Sequence, residues 1–222
     1  MDQINKVFFD AAALGDLKTV SEALTKGADV NYQNGDGRSA LMRSAKRGHL
    51  EIVKLLMANN ALVNQRDNNQ KTAIMGAAKK GHLEIVKLLV EANADVNAAD
   101  YNGRNALMRA SFLGQNEVVE YLLAHNAEIN AEDEMGRTAL MEACLAFRMD
   151  VIETLLVSGA DINKQDKNGC TALMRASYSG YVDLCKKLVE HNADKEIVDK
   201  AGNKAIDYVR QQEFSDLKDY LK

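Results

Sequence analysis

Residues 67–99 read DNNQKTAIMGAAKKGHLEIVKLLVEANADVNAA. Set back by 33 residues, the chain reads NGDGRSALMRSAKRGHLEIVKLLMANNALVNQR; set forward, it reads DYNGRNALMRASFLGQNEVVEYLLAHNAEINAE. Asn34, Asp67, Asp100, Asp133, Asp166 and Asp199 stand at one unbroken period of 33. A strict period of this size specifies a solenoid of stacked units rather than a globule around one centre.

Within the unit, Ala73, Ile74, Ala77 and Ala78 mark a short apolar helix. Thr72 precedes it and is expected to cap its first free amides, as are Ser39, Asn105, Thr138 and Thr171 in the other units. Gly81 ends that helix. A second helix follows over 83–92, with Ile85, Val86, Leu88 and Leu89 on one face at helical spacing. Asn93 suits the left-handed residue after a helix. Asp95-Val96-Asn97 then leads into a turn around Asn102-Gly103. One helix pair cannot bury its apolar face alone, so neighbouring units complete the core.

The runs Gly81-His82-Leu83-Glu84-Ile85-Val86-Lys87-Leu88-Leu89, Ala94-Asp95-Val96-Asn97 and Asp100-x-x-Gly103-Arg104-x-Ala106-Leu107 resemble the ankyrin repeat family. The resemblance covers nearly the whole chain. It implies an all-α solenoid of stacked helix pairs with protruding β-turn or hairpin loops. It also implies a binding scaffold with partners along the concave side, formed by turn tips and first helices. Fold alone names no partner.

The 222 residues give units at 1–33, 34–66, 67–99, 100–132, 133–165 and 166–198, with 199–222 as a partial seventh; they are expected to form one domain with polar caps at both ends. The net charge of −4 hides an asymmetry. Residues 1–111 carry 15 Lys/Arg against 12 Asp/Glu, and residues 112–222 carry 13 against 20. A basic first half and an acidic second half disfavour generic nucleic-acid binding, which wants one dominant basic face. Cys144, Cys170 and Cys185 form an odd set without metal spacing, read as free thiols in a reducing cytoplasm. No apolar run reaches the roughly 20 residues of a membrane span. The acidic start, MDQINKVFFDAAALGD, is unlike a signal peptide, although a removed leader or export as an effector is compatible with it.

Several positions depart from the family pattern. Gln70 stands where other units have Gly37, Gly103, Gly136, Gly169 and Gly202. If positive φ is needed there, a side chain costs about 1 kcal/mol and a distorted turn is expected. Ala replaces the family's proline in every unit, and Met42, Met75, Met108, Met141 and Met174 replace a histidine, as adaptable packing between units. Phe147-Arg148 replaces the Gly-His pair between helices, so that turn is expected to be reshaped.

No nucleophile–base set, phosphate loop or zinc spacing occurs, so no catalytic residue, cofactor or metal is expected. His49 and His82 belong to the interhelix turn; His125 and His191 are two units apart, too far to share a metal at about 10 Å per layer. Positions the fold leaves open mark the binding face. Arg38, Lys71, Arg104 and Arg137 form a basic column, and Arg43, Arg109 and Arg175 a second, interrupted one. Phe112, Leu113, Leu145 and Tyr178, with Tyr101 at a turn tip, add apolar surface. Aromatic residues beside arginine are the usual energetic centre of an interface. The expected function is a non-catalytic, monomeric protein–protein adaptor holding an acidic segment with apolar anchors. The alternatives are a binder of nucleic acid or an anionic surface, and a structural module without one dedicated partner.

Overall fold

A computed structural model describes residues 2–209 and 215–222; residue 1 and residues 210–214, which the period assigns to the first and last units, lie outside the described residues. Helices follow in pairs. They are α1 (Asp2–Leu14) and α2 (Leu17–Thr25), α3 (Ala40–Arg47) and α4 (Leu50–Ala58), α5 (Ala73–Lys80) and α6 (Leu83–Glu91). Next come α7 (Ala106–Leu113) and α8 (Asn116–Ala124), α9 (Ala139–Leu145) and α10 (Met149–Val157), α11 (Ala172–Ser179) and α12 (Val182–Glu190). A 3-10 turn (Ala205–Tyr208) and α13 (Ser215–Leu221) close the chain. Among the described residues there is no strand, only an isolated antiparallel bridge between Gln33 and Ser39.

The second helices bury most of the apolar face read from the sequence, with Leu88 only half-buried. Ile85, Val86 and Leu89 of α6 are buried, as are Ile52, Val53 and Leu56 of α4 and Val118, Val119 and Leu122 of α8. Each such side chain contributes about 1.5–3 kcal/mol of burial. The first helices bury small residues instead, among them Ala40, Ala45, Ala73, Ala77, Ala78, Ala106 and Ala110. Small side chains let these helices approach, and successive first helices touch far more extensively than successive second helices do. Tighter spacing on one side bends the stack, so the first helices and turn tips line its inner, concave side.

Hydrogen bonds join unit to unit. Asn31, Asn64, Asn97, Asn130 and Asn163 each accept, through Oδ1, the amide 31 residues ahead, at 2.8–2.9 Å. At the turn tips the backbone does the same. The amides of Asn68, Tyr101, Glu134, Lys167 and Lys200 donate to the carbonyls of Asp36, Asn69, Asn102, Met135 and Asn168. The histidines pack between units: a Cβ on Gly15 would stand 2.8 Å from the His49 ring, and one on Gly48 would stand 2.7 Å from the His82 ring.

Three expectations need correction. Thr72 makes no capping hydrogen bond, whereas Ser39, Asn105, Thr138 and Thr171 each accept the amide three residues on. The turn at Gln70 is not distorted. Gln70 takes φ +61° itself, and its amide still donates to the Asp67 carbonyl at 2.7 Å. The Phe147 turn keeps the left-handed residue, at φ +52°, and changes only in that α9 has seven residues where α3, α5, α7 and α11 have eight. Phe147 stacks on Tyr181 with ring centroids 4.5 Å apart.

Candidate functional site

The period-33 column builds the turns that frame the concave face. In each, Oδ1 of the periodic residue accepts two amides, two and four residues on. For Asp100 these are Asn102 at 2.9 Å and Arg104 at 3.0 Å. For Asp133 they are Met135 at 2.8 Å and Arg137 at 3.0 Å. Asn34 does the same for Asp36 and Arg38, because its amide oxygen serves as well as a carboxylate.

The second carboxylate oxygen then needs a partner, since the turn aspartates are buried. Asp100 takes Arg109, and Asp166 takes Arg175. Asp133 takes Arg137 Nε at 2.9 Å and Nη2 at 2.7 Å. Burial alone would raise the Asp133 carboxyl, but hydrogen bonds from the Arg137 side chain and amide outweigh it and hold it below the usual range. Asp199 takes the Tyr208 hydroxyl at 2.6 Å, chiefly for which reason its carboxyl sits at about 2.

The position nine residues after each periodic residue therefore decides the local chemistry. It reads Arg43, Gly76, Arg109, Glu142, Arg175, Tyr208. Glu142 is 2 % exposed and lies between two units: it pairs with Arg104 and faces Arg137 Nη1 at 3.3 Å. Arg104 also lies over the Phe112 ring, 5.9 Å from its centroid.

The twelve expected partner-binding residues fall into distinct places. Arg38, Arg43, Lys71 and Arg109 converge on an open pocket of about 130 Å³ between α3 and α5. Arg104, Phe112 and Arg137 form the Glu142 network in the middle of the face. Leu145, Arg175 and Tyr178 meet in a second pocket of about 230 Å³, completed by Cys170, Met174 and Tyr208. Tyr101 stands exposed at a turn tip, apart from both pockets. Leu113 lies at the interhelix corner with Phe147 and Arg148. Arg104, Arg109, Arg137 and Arg175 thus have intramolecular carboxylate partners, and the basic columns present far less unpaired charge than their spelling suggests.

Sequence reasoning overlooked Gly76 and Thr72. Both line the first pocket, with Lys46 and Lys79. The signal was available, since Gly76 interrupts the arginine column.

The family model for ankyrin repeats (3 copies) matches residues 8–100, 66–133, 97–166 and 133–199. Among solved structures, the crystal structure of the human ASB11 ankyrin repeat domain is similar, with 26 % identity, 96 % of this chain and 95 % of that chain covered, and a TM-score of 0.87. No relative among the curated proteins matches. A repeat match that runs almost from end to end, on a stack of helix pairs with that architecture, establishes that the chain belongs to the ankyrin repeat family.

Proposed function

We propose that this chain is a non-catalytic scaffold whose concave face holds an acidic segment of another protein, anchored by apolar side chains. Ankyrin repeats are in general protein–protein interaction modules. The observation that carries the finer reading is the pairing of two unlike pockets on one face. One has six cations in its wall beside Met42 and Met75; the other has Leu145, Met174, Tyr178 and Tyr208, and its one cation, Arg175, is paired with Asp166. The first lies between α3 and α5. The second lies three units on, by α9 and α11. At about 8–10 Å per layer, the span is roughly 24–30 Å. An extended segment covers that in about seven to nine residues. A partner with acidic and apolar groups at that spacing fits both.

The alternative, a binder of nucleic acid or an anionic surface, needs a continuous row of free cations. Arg104, Arg137 and Arg175 have carboxylate partners, which favours the protein reading. The three free thiols fit a reducing, cytoplasmic setting. No described helix is long and apolar enough to cross a membrane.

The test is affinity capture from native lysate, with Leu145→Ala/Tyr178→Ala as control, shown by circular dichroism to stay folded. A protein held by the native chain and lost by the variant is the expected result. Proteins held equally by both would move the site off this face. Raising salt should slow association more than it speeds dissociation.

A further inference from the structure

We propose that the pocket between α3 and α5 receives a phosphoryl group carried on a side chain of the partner protein. The proposal rests on the docking-face reading and gives one end of that face a chemistry. Three observations converge.

The first is the glycine. Gly76 stands where three other units have arginine, and it lines the pocket with Asp67. An arginine at the equivalent place, Arg109, covers Asp100. At Asp67 no such side chain arrives: the nearest guanidinium nitrogen is Arg38 Nε at 3.9 Å. Glycine inside a helix is disfavoured relative to alanine. Close packing accounts for part of this, because a Cβ at Gly76 would stand 3.1 Å from Lys46 Cβ. Packing does not account for the charges around it.

The second is those charges. Of the six cations that line the pocket, Arg109 is paired with Asp100, and Arg38 with Asp36 and, at 3.9 Å, with Asp67. Arg43, Lys46, Lys71 and Lys79 have no carboxylate of the described residues within ion-pairing distance. Burial, followed by neighbouring cations, pulls Arg43, Lys46 and Lys79 below their ordinary values. Like charges crowded into a partly desolvated pocket are relieved by an anion.

The third is a set of unused donors. Thr72, which is only 4 % exposed, lines the pocket, and its hydroxyl has no hydrogen-bond partner. Among the residues that precede α3, α5, α7, α9 and α11, Thr72 alone accepts no amide of its helix. Arg43 Nε and Arg109 Nε are also buried without a partner, a property they share with Arg104 Nε and Arg175 Nε, so the Thr72 hydroxyl is the donor peculiar to this pocket. Buried donors left unpaired are costly, and a ligand with several acceptor oxygens satisfies them together.

A carboxylate brings one charge and two oxygens. A phosphoryl group brings about −1.5 to −2 and three strong acceptor oxygens, which suits four unpaired cations and a hydroxyl better. The volume is close to the about 150 Å³ that takes a benzene-sized guest, enough for one such group. Among the described residues the site is also single. The corresponding positions of the next units are closed by Arg109 on Asp100, by Glu142 between Arg104 and Arg137, and by Arg175 on Asp166. One isolated anion site on an inward-curving face fits a phosphorylated side chain on an extended segment. A polynucleotide would want a row of sites, and a bilayer a flat or convex patch.

The experiment titrates the full chain with inorganic phosphate, O-phosphoserine, a phosphoserine peptide and acetate, following backbone amides by NMR. Saturable shifts at Thr72, Gly76 and Lys79 are expected with the three phosphorylated probes, at least tenfold weaker with acetate. Gly76→Arg should abolish them by filling the pocket. Lys46→Gln/Lys79→Gln, which leaves the helix backbone undisturbed, should weaken them at least tenfold. Equal response to acetate, no saturation, or shifts unchanged in the double glutamine variant would overturn the proposal. So would binding to vesicles containing phosphatidylinositol phosphate without binding to the phosphoserine peptide. The captured partner separates the two readings: phosphatase treatment should release it. Capture that survives phosphatase and Lys46→Gln/Lys79→Gln, yet is lost in Leu145→Ala/Tyr178→Ala, overturns the phosphoryl pocket and leaves the docking face standing. Phosphate saturation with capture indifferent to both double variants overturns the assignment to a partner on this face.

Discussion

Replacing Asp133 separates the two tasks of the periodic carboxylate. Its Oδ1 holds the amides of Met135 and Arg137, and its Oδ2 holds the Arg137 guanidinium through two bonds. Asn34 shows that an amide oxygen performs the first task. Asp133→Asn should therefore lose only the charged pair. Hydrogen bonds to charged groups contribute about 1.5–3 kcal/mol. Arg137 is 27 % exposed and keeps Glu142 as a second partner, so the expected loss is smaller, about 1–2 kcal/mol. Asp133→Ala removes the two amide bonds as well, each about 1 kcal/mol, for a total of about 3–4 kcal/mol. Urea unfolding followed by circular dichroism measures both. For a chain of this size, the thermal midpoint should fall by about 2–4 °C per kcal/mol. Equal losses for the two variants would refute the division of labour. A loss below about 1 kcal/mol for Asp133→Ala would refute the claim that this carboxylate holds the turn.

Asp199 is held low by Tyr208, so the stability it contributes is full above the ordinary carboxylate range and is lost as pH falls towards about 2. Tyr208→Phe should raise the Asp199 pKa in a carboxyl NMR titration and shrink the stability lost between the ordinary carboxylate range and about pH 2; an unchanged pKa would contradict this. At Phe147, alanine should destabilise more than glycine, because both lose the Tyr181 stack and only alanine retains the left-handed strain, about 1 kcal/mol. Denaturant midpoints in the reverse order would mean the strain is negligible. Thiol labelling of the folded chain, read by mass spectrometry, should modify Cys170 first. Cys144 and Cys185 are buried, with thiols pushed up by burial, the latter to about 11, so they should react only on unfolding.

The helices were legible because their signal is periodic: Ile85, Val86 and Leu89 repeat as Val118, Val119 and Leu122, and both sets are buried. The left-handed residues were legible as Gly or Asn, and even the exceptions at Gln70 and Phe147 follow the conformation their column dictates. The binding face was less so, because a column of like charges gives no hint of its partners. Arg104 and Arg137 meet Glu142 from different units, 38 and 5 residues away, and only the stack brings them together. The pocket at Gly76 depended on a missing side chain and on a threonine that does not cap. Neither absence has a spelling of its own when one unit is read alone.

The asparagine ladder has a modular consequence. Five successive joints, from the first unit to the sixth, use the same bond between one Asn and the amide 31 residues on. Excising residues 67–99 would join Arg66 to Asp100 and place Asn64 against the amide of Glu128 in the relation it now has with that of Asp95. Every remaining joint would still close. The shortened chain would lose Thr72, Gly76 and Lys79, and with them the cationic pocket. The ladder thus makes unit number a variable the architecture tolerates, while the recognition chemistry resides in the identity of a single interchangeable segment.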